Sequence, residues 1–389
     1  MMPSSVLVTA TGHDRPGVTA ALFAALAAHD VDVIDVEQVV IRSRLILGVL
    51  VETRGDPAVL RHGVMTACRA MGIDADVAVD EHRESRRPAR VSRHHVILVG
   101  HPLRSGAISS VAQVVAAAGG NIDSIVQLGS DPVSSLELLV SGADADELRE
   151  AMVRVGADAG IDIAIEPAGL RRRAKRLVVL DVDSTLVRGE GIDLLAERAG
   201  CGGEVAQITE QAMAGELDFE TALRQRVRLL RGLPLAAVHE VRDALVLTPG
   251  ARTLVRTLRG LGYRIGVVSG GFTVFTDRFA AELKLDFATA NELEISGGAL
   301  TGELTGPIID RRAKAAALRR FAAQHGVPLE QTVAVGDGAN DIDMIEAAGL
   351  GIAFNAKAAL RESADATVSV PYLDSVLFIL GVSRDEFDA

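Results

Sequence analysis

Leu177-Val178-Val179-Leu180-Asp181-Val182-Asp183-Ser184-Thr185 is the stretch on which the reading of this chain turns. Four apolar residues in a row make a strand buried on both faces, as in a parallel sheet covered by helices. Two carboxylates, Asp181 and Asp183, then stand one residue apart, followed by two hydroxyls. In an open α/β sheet ligands bind beyond the carboxyl ends of the strands, which is where this pair falls. Asp181 could attack phosphorus and become an aspartyl phosphate, while Asp183 donates and accepts the proton. A strand that merely ends in a polar turn reads the same way. With 52 acidic residues in 389, Asp-x-Asp alone leaves both readings open.

The residues downstream narrow the choice. Val267-Val268-Ser269-Gly270-Gly271 reads as a second strand ending in a hydroxyl and free backbone N–H groups. Lys314 follows at the head of an Ala-rich helix. A third strand, Thr332 to Val335, runs into Gly336-Asp337-Gly338-Ala339-Asn340-Asp341. Each motif ends a strand or starts a helix, so all can converge on one rim. Together they supply a nucleophile, an acid/base, a hydroxyl, a cation and a second acidic cluster. Phosphoryl transfer needs that set, because the transferred group spreads negative charge over its equatorial oxygens.

In this order, Asp-Val-Asp-Ser-Thr, Ser269, Lys314 and Gly-Asp-Gly-Ala-Asn-Asp resemble the four motifs of the haloacid dehalogenase-like phosphatases, and most closely those of the phosphoserine phosphatases. The resemblance covers roughly residues 175–389. It implies a Rossmann-like parallel sheet with a helical cap, and the helical pattern of residues 187–247, next to the nucleophile strand, fits that cap. A lid in this place can close over the site and exclude water; an ordinary surface insertion is the plainer alternative. A hard divalent cation held by carboxylates and a carbonyl fits Mg²⁺, with Asp181, Asp337 and the main-chain carbonyl of Asp183 as ligands. Ser269 and the Gly270 N–H would hold phosphate oxygens, Lys314 would add a point charge, and Asn340 would contact phosphate or metal-bound water. Asp341 would orient Lys314 or a metal-bound water, or cap the apolar helix after it; the two roles are compatible.

For the substrate, the resemblance places Glu190 opposite an ammonium, Arg226 on a carboxylate and Phe219 against the stem between them. By composition Arg224, Arg226, Arg228 and Arg231 are equal candidates. Only the Phe-x-x-x-Leu-x-x-Arg pattern singles out Arg226, whose planar fork suits a carboxylate. The implied activity is Mg²⁺-dependent hydrolysis of O-phospho-L-serine to L-serine and phosphate, the last step of serine biosynthesis. A phosphotransferase of the same fold, or an amino-acid sensor with an inert phosphatase domain, are the alternatives. Residues 290–309, with Gly297-Gly298 between alternating segments, read as a β-hairpin projecting from the core; its purpose is not legible.

Ahead of the catalytic strand the pattern changes. Residues 6–80 read as β-α-β-β-α-β, the split βαβ order, with strands at Val6–Ala10, Val31–Ile41, Leu45–Thr53 and Ala75–Val79. Gly12-His13-Asp14-Arg15-Pro16-Gly17 reads as a turn into the first helix. The order repeats from His95 to Ile165. Both units resemble ACT domains, α+β ferredoxin-like modules that bind amino acids, spanning 1–84 and 93–168. The first turn matches that family better than its counterpart, His101-Pro102-Leu103-Arg104-Ser105-Gly106. Asp14 and Gly17 are the candidate effector residues, with serine as the effector. The competing reading is a pair of assembly modules, with Asp14 a helix cap and Gly17 a turn residue. Such modules commonly pair, so a homodimer is expected. Asp80 to Pro88 and Arg171 to Arg176 read as solvated linkers.

The net charge of −12 argues against a nucleic-acid partner. No apolar run approaches the roughly 20 residues of a membrane span, and the N-terminal residues lack a signal pattern, so a cytoplasmic location is expected. Cys68 and Cys201 have no metal-ligand spacing and read as buried thiols. Hydrophobic residues make up 48% and aromatics 3%, so the cores must be aliphatic.

Overall fold

In the computed structural model the described residues are 4–80, 92–169, 172 and 174–387. Glu81 to Pro88, read as linker, and Arg171 and Arg173 of the basic run lie outside them. The chain divides into two compact units, Met1–Arg90 and Val91–Ala389.

The first unit is a four-stranded antiparallel sheet of order β2-β3-β1-β4 with two helices on one face. Its elements are β1 (Ser4–His13), α1 (Val18–Ala27), β2 (Val31–Ile41), β3 (Arg44–Thr53), α2 (Pro57–Ala70) and β4 (Asp74–Asp80). On β1, Val6, Val8 and Ala10 point into the core with Leu22, Leu47, Val49 and Val64, while Leu7 and Thr9 face outward. This is the period-two alternation of a sheet covered on one side. β1 runs further than its sequence indicates. Gly12 and His13 pair with Leu45 and Arg44, so the turn begins at Asp14.

The second unit opens with another sheet of the same kind, order β6-β7-β5-β8. Its elements are β5 (Arg93–Gly100), α3 (Ser105–Ala117), β6 (Asn121–Gly129), β7 (Ser134–Ser141), α4 (Ala145–Ala159) and β8 (Asp162–Pro167). Here β5 is buried on both faces. Val96 and Leu98 meet the sheet's own helices, whereas Ile97 and Val99 join the core of the catalytic region, with Leu128, Val133 and Ala164. On β8, Asp162 accepts hydrogen bonds from Thr367 Oγ1 at 2.8 Å, Ser369 N at 2.6 Å and Ser369 Oγ at 2.9 Å.

The basic run after β8 is not a solvated linker at the two positions that turn inward. Arg172 is buried between Glu137 and Glu166, at 2.6 and 3.4 Å, and its guanidinium donates to Ile379 O. Lys175 is buried as well and donates to the carbonyls of Glu330 and Gly349. Carbonyls and carboxylates that would otherwise be buried unpaired draw these cations in.

A seven-stranded sheet of order β12-β11-β10-β9-β13-β14-β15 carries the remainder. β9 (Leu177–Leu180) is its centre, and all four of its residues are fully buried. Four cap helices follow: α5 (Gly191–Ala199), α6 (Gly202–Met213), α7 (Phe219–Leu229) and α8 (Leu235–Ala244). Then come α9 (Ala251–Gly260), β10 (Arg264–Phe272), α10 (Thr273–Leu283), β11 (Phe287–Ser296), β12 (Ala299–Thr305), α11 (Arg311–Gln324), β13 (Thr332–Gly336), α12 (Ile342–Ala347), β14 (Gly351–Phe354), α13 (Ala358–Ser363), β15 (Ala366–Val368) and α14 (Val376–Ile379). β9 pairs in parallel with β10 on one side and β13 on the other. The chain therefore reverses its direction of sheet growth at β9, and the crevice beyond that strand is the topological switch point.

Two features anchor the cap. Val187 bridges Leu247, Arg188 N donates to Val246 O, and Thr248 bonds Leu186 O and Thr185 O. The hairpin of β11 and β12 supplies the second. Gly232 N donates to Leu300 O, Leu300 N to Leu233 O and Leu235 N to Gly298 O, so the α7–α8 connection rests on it. Among the described residues no helix is long and apolar enough to cross a membrane.

Candidate active site

The strand ends at the switch point bring motif residues to one cavity of about 660 Å³, with Ser269, Lys314 and Asp341 fully buried and not part of its lining. Asp181, Asp183, Gly270, Gly271, Asp337 and Asn340 line its floor; Glu190, Phe219 and Arg226 line the wall formed by the cap. After Asp181 the backbone turns through Val182–Leu186, with Ser184 at φ 59°, and Ser184 N donates to Gly189 O. That turn starts the strap to the cap.

Lys314, near the start of α11, is fully buried. Its Nζ lies 2.5 Å from Asp181 Oδ1 and 2.7 Å from Asp341 Oδ1. Burial alone would lower its pKa; the two carboxylates overrule that and hold it above its ordinary value. Asp341 stands at the first turn of α12 but does not cap it, because no side-chain bond to that helix forms. Its Oδ2 turns back to accept from the N–H groups of Asp337 and Gly338, both at 3.2 Å. The capping alternative is thus replaced by a brace of the Gly-Asp-Gly loop and Lys314.

Asp183 Oδ1 accepts from Gly191 N–H at 2.8 Å, and Oδ2 from Ser269 Oγ–H at 3.1 Å. Burial pushes the Asp183 carboxyl upward, against those two hydrogen bonds. Burial also raises Asp181 well above the usual carboxylate range; Asp341 adds to the shift and Lys314 opposes it. Asp337 is pushed up to about 6, first by burial and then by Asp341, with Lys314, Lys357 and Thr185 opposing.

Asp181, Asp337 and Asp341 each offer a carboxylate oxygen, all within 4.8 Å of one another. An all-oxygen donor set of this kind fits a hard divalent cation. Asp341 already gives both oxygens to protein donors.

On the cap wall, Glu190 precedes α5 and accepts from Ser184 Oγ at 3.3 Å. Its carboxyl is pushed up to about 7 by burial, then by Asp183, Asp337 and Asp193. Arg226 on α7 faces Glu190, Asp193 and Asp183 electrostatically and donates to Ala222 O and Thr209 Oγ1, both at 3.4 Å. The Phe219 ring lies over Gly270, its Cζ 3.2 Å from where a Cβ on that glycine would stand.

Sequence reasoning passed over Asp193, Thr209, Met213 and Lys357, which also line the cavity. Asp193 lies on α5 and Thr209 on α6, both off the buried apolar faces of those helices, so no local periodicity marks them. The two effector candidates lie elsewhere, exposed in the turn between β1 and α1. Asp14 N donates to Ser43 O, and Gly17 holds φ at 98°, a conformation that favours glycine. No side chain caps α1, so Asp14 is not its cap.

A parallel sheet with strand-end carboxylates at its switch point, under a helical cap, is the architecture of haloacid dehalogenase-like hydrolases. The family model of that description matches residues 178–346, and two ACT domain models match residues 4–78 and 92–166. Over 390 residues the chain is 55% identical to a phosphoserine phosphatase of Mycobacterium tuberculosis, covering 99% of this chain and 95% of that protein. It is 52% identical over 387 residues to a phosphoserine phosphatase of Streptomyces coelicolor, covering 99% and 94%. A solved structure described as a phospho-aspartyl intermediate analogue of phosphoserine phosphatase matches with a TM-score of 0.51 and 44% identity, over 52% of this chain and 98% of that one. The chain belongs to the phosphoserine phosphatase family, in the form that carries two ACT domains.

Proposed function

We propose that this chain hydrolyses O-phospho-L-serine to L-serine and phosphate through an aspartyl phosphate on Asp181, as the closing step of serine biosynthesis. The observation that carries the reading is the charge layout of the 660 Å³ cavity. Its floor holds carboxylates at the strand ends. Its cap wall holds two acids, Glu190 and Asp193, and one base, Arg226; Glu190 and Arg226 suit the ammonium and carboxylate of a phosphorylated amino acid.

Asp181 attacks phosphorus with the oxygen that Lys314 leaves free, as the bond from phosphorus to the seryl oxygen breaks. Asp183 gives its proton to that departing oxygen. A water then attacks the aspartyl phosphate, passing a proton to Asp183, and the bond between Asp181 and phosphorus breaks to release phosphate. The upward shift of Asp183 by burial favours the protonated form that the first step needs. The Gly270 N–H holds a phosphate oxygen and Asn340 contacts the same group, while Ser269, whose single hydroxyl proton goes to Asp183 Oδ2, acts on the acid and not on the phosphate. A Mg²⁺ ion held by Asp181, Asp337 and the Asp183 carbonyl would supply the charge that offsets repulsion between carboxylate and phosphate. The cap, hinged on its strap, excludes water while Glu190, Phe219 and Arg226 orient the amino acid.

The domain limits that go with this reading are 1–84, 93–168 and 175–389, with the cap at about 187–247. L-Serine would regulate at the turn of Asp14 and Gly17, where backbone N–H groups at a helix start suit a carboxylate. A homodimer is supported by β2, an edge strand on which Val33, Ile34, Val36, Val39, Val40 and Ile41 are exposed. The cytoplasm is supported by two buried free cysteines.

Phosphate release from a panel of phosphomonoesters, with and without Mg²⁺, tests the activity. Phosphoserine should be hydrolysed far faster than sugar or aryl phosphates, and only with the cation. Equal rates across the panel would refute the substrate assignment.

A further inference from the structure

The pairing of β10 with β11 breaks where the loop of Ser269 begins. Val268 stands opposite Thr289 and Phe272 opposite Asn291, so residues 269–271 face Ala290 alone. The side chain of Asn291 closes that gap. It is 1% exposed; its Nδ2 donates to Gly270 O at 2.8 Å and its Oδ1 accepts from Ile309 N–H at 2.8 Å. The amide fits in one orientation only, because Ile309 brings a donor and Gly270 an acceptor.

A trans peptide points its C=O and the next N–H in opposite directions. Fixing Gly270 O therefore aims Gly271 N–H to the far side of the loop. There it donates to Ser269 Oγ at 2.8 Å. With that lone pair engaged, the hydroxyl proton of Ser269 is directed at Asp183 Oδ2, 3.1 Å away. The other Asp183 oxygen is held by Gly191 N–H. Packing along this route is close: a Cβ on Gly271 would stand 2.5 Å from Asp183 Oδ2 and 3.0 Å from Ser269 Oγ. The second arm of Asn291 reaches Ile309, next to Asp310, whose carboxylate accepts from Ala313 N at the start of the helix that carries Lys314.

We infer that Asn291 is a positioning residue for proton transfer: through the Gly270–Gly271 peptide and Ser269 it sets the direction of the Asp183 carboxyl. The inference rests on the proposal that Asp183 is the acid of the first step. It predicts a defect that scales with the need for a proton on the leaving group, which a purely structural role would not produce.

The test uses the full chain with Asn291→Asp. This change keeps an oxygen for Ile309 N–H and puts an acceptor where Gly270 O needs a donor. On phosphoserine, whose alkoxide must be protonated, the single-turnover rate of ester cleavage should fall about 10- to 100-fold, the scale of a misplaced catalytic group. On 4-nitrophenyl phosphate, whose leaving group departs as an anion, the pre-steady-state burst of nitrophenolate should slow by less than about threefold, because the acid contributes little to that step; the later attack of water, where Asp183 is the base for both esters, does not enter this readout. Circular dichroism and the thermal midpoint report the folded fraction; if Asn291→Asp does not fold, Asn291→Ala is read in the same way. Equal losses on both esters, or no loss on either, overturn the inference. Asp183→Asn is run in parallel. If it is selective for phosphoserine and the Asn291 variants are not, the coupling alone has failed. If Asp183→Asn loses both esters alike, the acid assignment has failed and the coupling falls with it.

Discussion

Replacing Lys314 by methionine removes a charge and keeps most of the side chain's length. Its Nζ bridges Asp181 and Asp341 at 2.5 and 2.7 Å in a fully buried site. Taking one partner from a buried ion pair costs about 3–5 kcal/mol, because a carboxylate is left uncompensated. Asp341 keeps its two backbone N–H donors. Asp181, already pushed upward by burial, can take up a proton instead of staying charged. Both effects place the loss near the lower end, about 3 kcal/mol. Spread over a unit of roughly 300 residues, that lowers the thermal midpoint by about 5 °C.

The effect has a pH signature. In the parent chain the folded pKa of Lys314 is raised, so its stabilisation is complete below its unfolded value and is lost only as pH rises through the higher folded one. In the variant Asp181 governs. Its folded pKa lies above its unfolded value of about 3.8, so destabilisation grows as pH climbs from about 4 toward the raised pKa and fades in acid. Scanning calorimetry at pH 5 and pH 8 should show the gap between variant and parent narrowing at pH 5, and phosphate release should be lost at both. A gap of equal size at the two pH values, or one below about 1 °C, would refute the buried-pair argument.

Arg226→Ala should cut kcat/KM for phosphoserine by about one to two orders of magnitude, the worth of hydrogen bonds to a charged group, and spare phosphoethanolamine, which has no carboxylate; parallel losses would give Arg226 a structural role only. Glu190, pushed up to about 7, carries its charge above that pH, so KM for phosphoserine should fall between pH 6 and pH 8; Glu190→Gln should abolish that slope, and an unchanged slope would remove Glu190 from ammonium binding. Asp14→Ala should weaken serine inhibition without altering kcat; calorimetry that finds the same serine affinity in both proteins would clear Asp14 of that role.

The catalytic sheet was legible because its chemistry sits at the ends of short apolar runs. Leu177–Leu180 and Thr332–Val335 can be little else than buried parallel strands, and each hands its motif to the same rim. Asn291 was not legible. An Asn inside an alternating strand looks like an exposed position, and only the interrupted pairing opposite Gly270 gives it work. Arg172 and Lys175 were hidden for a different reason: their partners lie as far away as Ile379 and Gly349, beyond any local pattern. One signal was available for the burial of the second small sheet. Its first strand reads Val-Ile-Leu-Val without alternation, where the corresponding strand of the first unit reads Val-Leu-Val-Thr-Ala-Thr. Continuous apolar runs mark strands covered on both faces.

That two-sided strand bears on the order in which the chain can mature as it leaves the ribosome. The core described for the first sheet runs from Val6 to Val77, so it can close as soon as those residues emerge. The sheet of β5 cannot. Asp162 waits for Ser369, 207 residues later, and Arg172 for Ile379, also 207 residues later. At ~5–20 residues per second, that interval is about 10–40 s. Throughout it the bonds of Asp162 and Arg172 to that last stretch cannot form. The covering of the second ACT domain is thus completed by the last stretch of the phosphatase domain to be made.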